Sequence, residues 1–209
     1  MTVPDTVEGS VRALETELGL PTGFLQSLRT EDDWSFIIKI HALIEAAVSH
    51  LICTALGKDT LIDVFSHLDL SDKRCGEMAF TAALSLLEKS DRRFVSSLSE
   101  LRNTLVHDVT NVGSSLSKHV AAMDSSKFDV FVKGFDSFSM GGLVRFEGKD
   151  VPREEVFRRE PKTAILTVAI IYQVKETERF SREANDLRAQ CVSLMADRLR
   201  HLISPNANM

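Results

Sequence analysis

The stretch SDRRFVSSLSELRNTLVHDV, residues 90–109, decides the fold. Phe94, Leu98, Leu101, Leu105 and Val109 recur at the spacing of one face of an α-helix. At about 100° per residue they form a stripe roughly 80° wide, and Ser90 is placed to cap its start. Arg102 sits at the edge of the stripe. Asn103 and His107 are placed on the opposite face with Arg92, Arg93 and Ser96, so His107 is not expected among the core residues.

Working outward, Ser71 is expected to cap a preceding helix whose inward residues are Cys75, Met78, Ala79, Ala82, Leu86 and Leu87. The short connection between the two helices predicts antiparallel neighbours. Further upstream, Thr30 reads as an N-cap with Glu31 and Asp32 in the first turn and Asp33 three residues on. From there a long helix runs to Leu56 and stops at Gly57, with a stripe of Ile37, Ile40, Ile44, Val48, Leu51 and Ala55. A short helix is predicted over Leu61–Leu68. The N-terminal residues read as an amphipathic helix at Val7–Leu18, a Gly-Leu-Pro-Thr-Gly break at 19–23 and a helical turn at Phe24–Leu28.

Downstream, Phe128, Phe131, Val132 and Phe135 mark another amphipathic helix. Residues 137–142 read as a loop, and 143–150 as a small β-excursion around a Glu-Gly turn. Pro161 suits the first turn of a helix, and the helical pattern continues to about Ile203 with a bend expected near Asn185-Asp186. Ala164–Val174 is apolar nearly all round and is expected to be buried. The charge run Lys175–Arg188 reads as a solvated helix face. The predicted class is therefore all-α: an antiparallel helical bundle with a long C-terminal helix or helix pair. It divides into an N-terminal arm (1–30), a helical core (31–112), an irregular and helical insertion (113–160) and a C-terminal helical segment packing on the core (161–209).

Composition limits the function. The 209 residues are 44% hydrophobic and 26% charged, which is globular rather than disordered. A net charge of −5 supplies no global positive field, so any nucleic-acid contact needs a local basic groove. Cys53, Cys75 and Cys191 form no Cys-x-x-Cys pair and read as reduced core residues of a cytoplasmic protein. The first residues have neither the basic nor the apolar region of a secretory signal, and the apolar runs are broken by Glu45 and His50 or end early, so no membrane span is expected. His50, His67, His119 and His201 show no metal-ligand spacing, and Gly113-Ser-Ser and Gly141-Gly142 fit no phosphate-binding loop or nucleophile elbow. No metal and no cofactor is expected.

The string Leu101-Arg102-Asn103-Thr104-Leu105-Val106-His107-Asp108 resembles the Arg-x4–6-His motif of the HEPN superfamily, including its polar residue directly after the Arg. More loosely, residues 35–51 (SFIIKIHALIEAAVSHL) together with this helix look like the mannitol-operon regulator family. The resemblance covers about 31–112. It implies that Arg102 and His107 are a catalytic pair with Asn103 as polar helper, in a composite site where two protomers face each other. A neutral imidazole can take the 2′-OH proton of RNA, and a guanidinium can stabilise the phosphorane. Glu45 is read as a carboxylate that approaches this site and orients Arg102. His41, four residues earlier on the same face, is read as structural. Three functions stay open: a metal-independent endoribonuclease of toxin or defence type, a non-catalytic regulator or interaction module, and a helical protein whose motif helix only packs. The partners implied are a second copy of the chain, single-stranded RNA, and a protein antitoxin or regulatory partner.

Overall fold

In the computed structural model, the residues described are 12, 15, 16, 19–106, 115–136, 142–146 and 149–173. Met1–Gln173 form one compact unit; the second, Val174–Met209, lies outside the described residues, as do the expected bend near Asn185-Asp186 and the charge run. The helices are α1 (Phe24–Ser27), α2 (Asp33–Leu56), α3 (Ile62–Phe65), α4 (Glu77–Ala83), α5 (Lys89–Val106), α6 (Leu116–Ala121), α7 (Ser125–Gly134) and α8 (Arg153–Arg159), followed by α9 over 161–173. A 3-10 turn at Asp59–Leu61 leads into α3. The all-α class holds, and the β-excursion is present as an antiparallel pair, β1 (Leu143–Phe146) with β2 (Lys149–Pro152).

The centre of the fold is α2. Phe36, Ile37, Ile40, Ile44, Val48 and Ile52 are fully buried, whereas Ala55, expected on the same stripe, is exposed. Its start lies two residues later than predicted. Asp32 rather than Thr30 is the N-cap, accepting from Ser35 N–H at 2.9 Å, a geometry that satisfies one of the unpaired first-turn donors. Its end is as read: Gly57 adopts a left-handed φ of 62°, which a side chain would disfavour. By length and composition α2 could cross a bilayer. In this fold its apolar face is instead the core against which α4 and α5 pack.

The stripe of α5 is buried at Phe94, Leu98, Leu101 and Leu105; Val109 lies outside the described residues. The buried face is wider than the stripe, because Val95 and Ser99 are buried as well. Helix α4 departs more from expectation. It begins at Glu77 instead of near Ser71, because the Asp69 and Asp72 carboxylates capture the N–H groups of Ser71, Arg74 and Cys75 in local turns. Gly76 then lies so close to the Asp69 carbonyl that a Cβ there would come within 2.0 Å of it. The inward face differs in part: Met78 and Leu87 are buried as expected, and Glu77 and Thr81 are buried beside them, whereas Cys75 and Ala82 are exposed. Both α4 and α5 take α2 as their main partner rather than each other. Cys53 is buried as read, and Cys191 is outside the described residues.

A second apolar cluster joins α5 to the later elements. Phe94 meets Phe135 and Tyr172, and Phe157 meets Phe131 and Phe135, all with ring centroids 5.3–5.9 Å apart. Ile165, Leu166, Val168 and Ala169 of α9 are buried with them, although Thr167 is exposed. Lys162 at the start of α9 pairs with Asp33 at 2.7 Å, and Asp33 also accepts from Leu116 N–H at 2.7 Å. That one carboxylate ties the first turns of α2 and α6 to α9. In the arm, Glu15 is buried and accepts from Gly23 and Leu25 N–H at 2.7 and 2.8 Å, so it caps the four-residue α1 from outside.

Candidate functional site

Of the residues singled out from the sequence, Arg102, Asn103 and Glu45 lie at the seam between α2 and α5. Arg102 and Asn103 are both half-buried, and Arg102 Nη1 donates to Asn103 Oδ1 at 2.9 Å. Asn103 does not lie opposite the core as the helical spacing predicts. It continues the row that Val95 and Ser99 bury, one turn of helix apart, because the buried face of α5 extends beyond its large aliphatic residues. Neighbouring Arg92 turns back to donate to its own chain at Leu87 O, and Arg93 is exposed, so neither joins Arg102 in a shared basic cluster. His107 and Asp108 fall outside the described residues.

Opposite Arg102, α2 presents a polar row inside an otherwise apolar helix: His41, Glu45 and Ser49, four residues apart and therefore on one line. His41 Nε2 lies 3.1 Å from Ser99 Oγ on α5, and His41 Nδ1 lies 3.8 Å from Glu45 Oε2. Burial lowers the His41 pKa, and the Arg102 charge lowers it further, against a smaller opposing effect of Asp69. Burial raises the Glu45 pKa, Arg102 opposes this, and Asp69 adds to it. Arg102 thus acts electrostatically on both residues. Glu45, Arg102 and His41 share one local field.

The row ends in a buried acid. Ser49 Oγ donates to Glu77 Oε1 across the α2–α4 contact. Glu77 has no exposed surface, and its Oε2 has no hydrogen-bond partner among the described residues. Burial raises its pKa to about 7; the Ser49 hydrogen bond opposes the shift and the Glu45 charge adds to it. Ser99, Ser49 and Glu77 were not singled out from the sequence. The readable signal was the interruption of an apolar helix by polar residues at strict four-residue spacing.

Among the described residues no group of three or more His, Cys, Asp or Glu is gathered as a metal site. Cys75 is exposed, and its thiol donates to Asp72. Next to Asp72 it is held as a thiol, its pKa raised first by that hydrogen bond, which makes it a poor nucleophile.

No family model, no curated protein and no solved structure matches this chain.

Proposed function

We propose that the chain is a HEPN-like, metal-independent endoribonuclease of the cytoplasm, acting on single-stranded RNA as a homodimer and held in check by an antitoxin or regulatory partner. The observation that supports it is the placing of Arg102. Its guanidinium is braced by Asn103 and lies in the field of Glu45, on the flank of a helix whose aliphatic stripe is already buried. An arginine restrained in this way is pre-oriented for a phosphate, at less entropic cost than a free surface side chain.

In this reading His107, five residues after Arg102, takes the proton of the substrate 2′-OH. The 2′-oxygen attacks phosphorus, Arg102 stabilises the charge gathered on the phosphorane, and the bond to the 5′-oxygen breaks as that oxygen takes back, through water, the proton held on His107. Asn103 and Glu45 hold Arg102 in place. The net charge of −5 favours the second reading, a non-catalytic regulator or interaction module, since RNA must then be drawn by a local field alone.

Single-stranded RNA incubated with purified protein in excess chelator decides between them. The enzyme leaves a 2′,3′-cyclic phosphate and a 5′-OH, spares DNA, and loses activity in His107→Ala. Cleavage that persists in that variant, or that requires magnesium, overturns the mechanism. Absence of cleavage over a broad RNA set leaves the regulator.

A further inference from the structure

The hydrogen bonds around His41 specify its protonation. The Ser99 hydroxyl has one hydrogen, and it is directed to the Val95 carbonyl at 3.0 Å. Ser99 Oγ therefore accepts from His41, which assigns the imidazole proton to Nε2 at 3.1 Å. In the neutral ring Nδ1 is then a bare lone pair, and it faces a carboxylate oxygen of Glu45 3.8 Å away. Two acceptors oppose each other across a gap that one proton would turn from repulsive to attractive.

We propose that His41 and Glu45 are positioning residues, that His41 carries one exchangeable proton on Nδ1 with the Glu45 carboxylate 3.8 Å away as its ion-pair partner, and that this proton sets whether Arg102 is offered to an anion. The proposal rests on the reading of Arg102 as a phosphate-contacting residue. The charges follow directly. Without the proton the trio is neutral: imidazole, carboxylate and guanidinium. With it, taken from solvent as an Nδ1–H bond, His41 and Glu45 neutralise each other and Arg102 carries an uncompensated positive charge. An anion at Arg102 and a proton on the pair then favour each other, and the coupling is reciprocal.

Charged groups on the neighbouring elements act on both residues. From α5, Arg102 opposes protonation of both members; from the loop before α4, Asp69 favours it; and on α4 the Glu77 carboxyl lies in the field of Glu45, whose charge raises its pKa. Burial works on the two in opposite directions, down for His41 and up for Glu45, which brings their proton affinities together. His67, also in the chain between α2 and α4, is exposed and has no part in these contacts.

The test is a pH titration of the His41 ring nitrogens by NMR on the full chain, with sodium sulfate as probe anion against sodium chloride at equal ionic strength. Three results are expected. In the neutral form the proton is on Nε2. Glu45→Gln lowers the His41 midpoint by about one unit, as for an opposite charge in ion-pair range, and Arg102→Gln raises it. Sulfate raises the midpoint in the unaltered protein and has no effect in Arg102→Gln.

A neutral form protonated on Nδ1 overturns the proposal. So does a midpoint indifferent to Glu45→Gln, or a sulfate effect that is absent from the unaltered protein or survives in Arg102→Gln. Should Glu45→Gln fail to fold, the tautomer and the sulfate arm still decide. No RNA enters the measurement, so a protein that cleaves nothing can still carry the switch, and an active nuclease can lack it.

Discussion

Glu77→Gln removes a charge that the fold accommodates poorly and leaves the shape of the side chain nearly unchanged. The carboxyl has no exposed surface, takes one hydrogen bond from Ser49, and has its second oxygen without a partner among the described residues. Its pKa is raised from 4.5 to about 7. The folded protein thus keeps this proton through a pH range in which the unfolded chain has already released it. Fewer protons bound when unfolded means that stability falls as pH rises from the unfolded value through the folded one, and is constant outside that window. A displacement of about 2.5 units at about 1.4 kcal/mol each corresponds to about 3 kcal/mol lost between acid and alkaline pH. Glutamine mimics the protonated acid, so the variant should escape that loss. Urea denaturation of both proteins at about pH 4 and pH 8.5 measures it: the stability difference between them should move by about 3 kcal/mol in favour of Glu77→Gln at the higher pH. Titrating groups that do not interact with Glu77 cancel in that difference. Curves that stay parallel across pH, or a variant that loses ground in alkali, would refute the reading of Glu77 as a neutral buried acid.

Within α5, Leu101→Ala should cost on the order of 2–5 kcal/mol, since it opens a cavity in a fully packed face. Arg102→Ala should cost about 1 kcal/mol or less while removing RNA cleavage, because Arg102 is half-buried at the edge of that face; thermal unfolding beside the RNA assay separates the two. At the α5–α7 contact, Gly134→Ala would place a Cβ 2.2 Å from Ser97 Oγ and 2.8 Å from Ser97 Cβ. Overpacking of this kind costs about 1–3 kcal/mol, and Ser97→Gly should restore most of it in the double variant. A loss that the double variant does not recover would show that the clash is not with Ser97. Sedimentation of the intact chain should give twice the chain mass at micromolar concentration, and a monomer at all concentrations would remove the composite site.

Much of the helical architecture could be read before any coordinates. The spacing of Phe94, Leu98, Leu101 and Leu105 specifies one buried face whatever packs on it, because side-chain direction in a helix is set by the backbone period alone. Gly57 as a stop and 143–150 as a β-excursion were legible for the same local reason: backbone conformation and turn chemistry act within a few residues. The site residues Arg102, Asn103, Glu45 and His107 were chosen by motif and by a carboxylate within an apolar run, a signal that carries residue type without carrying distance.

What packs against what was decided in three dimensions. Helical spacing of the large apolar residues alone sets Asn103 away from the core, and it carries no sign that Ser99 is buried by its contact with His41. Apolar spacing places Met78 inward in helix α4 but does not foresee that Glu77 turns inward beside it, since the turns held by Asp69 and Asp72 delay the start of the helix and Ser49 on α2 supplies a donor. Burial of a polar side chain depends on a partner that lies 28 residues away for Glu77 and 58 for His41. Such a partner leaves no trace in local periodicity, so hydrophobic spacing determined the helices and only their packing determined which polar groups share a field.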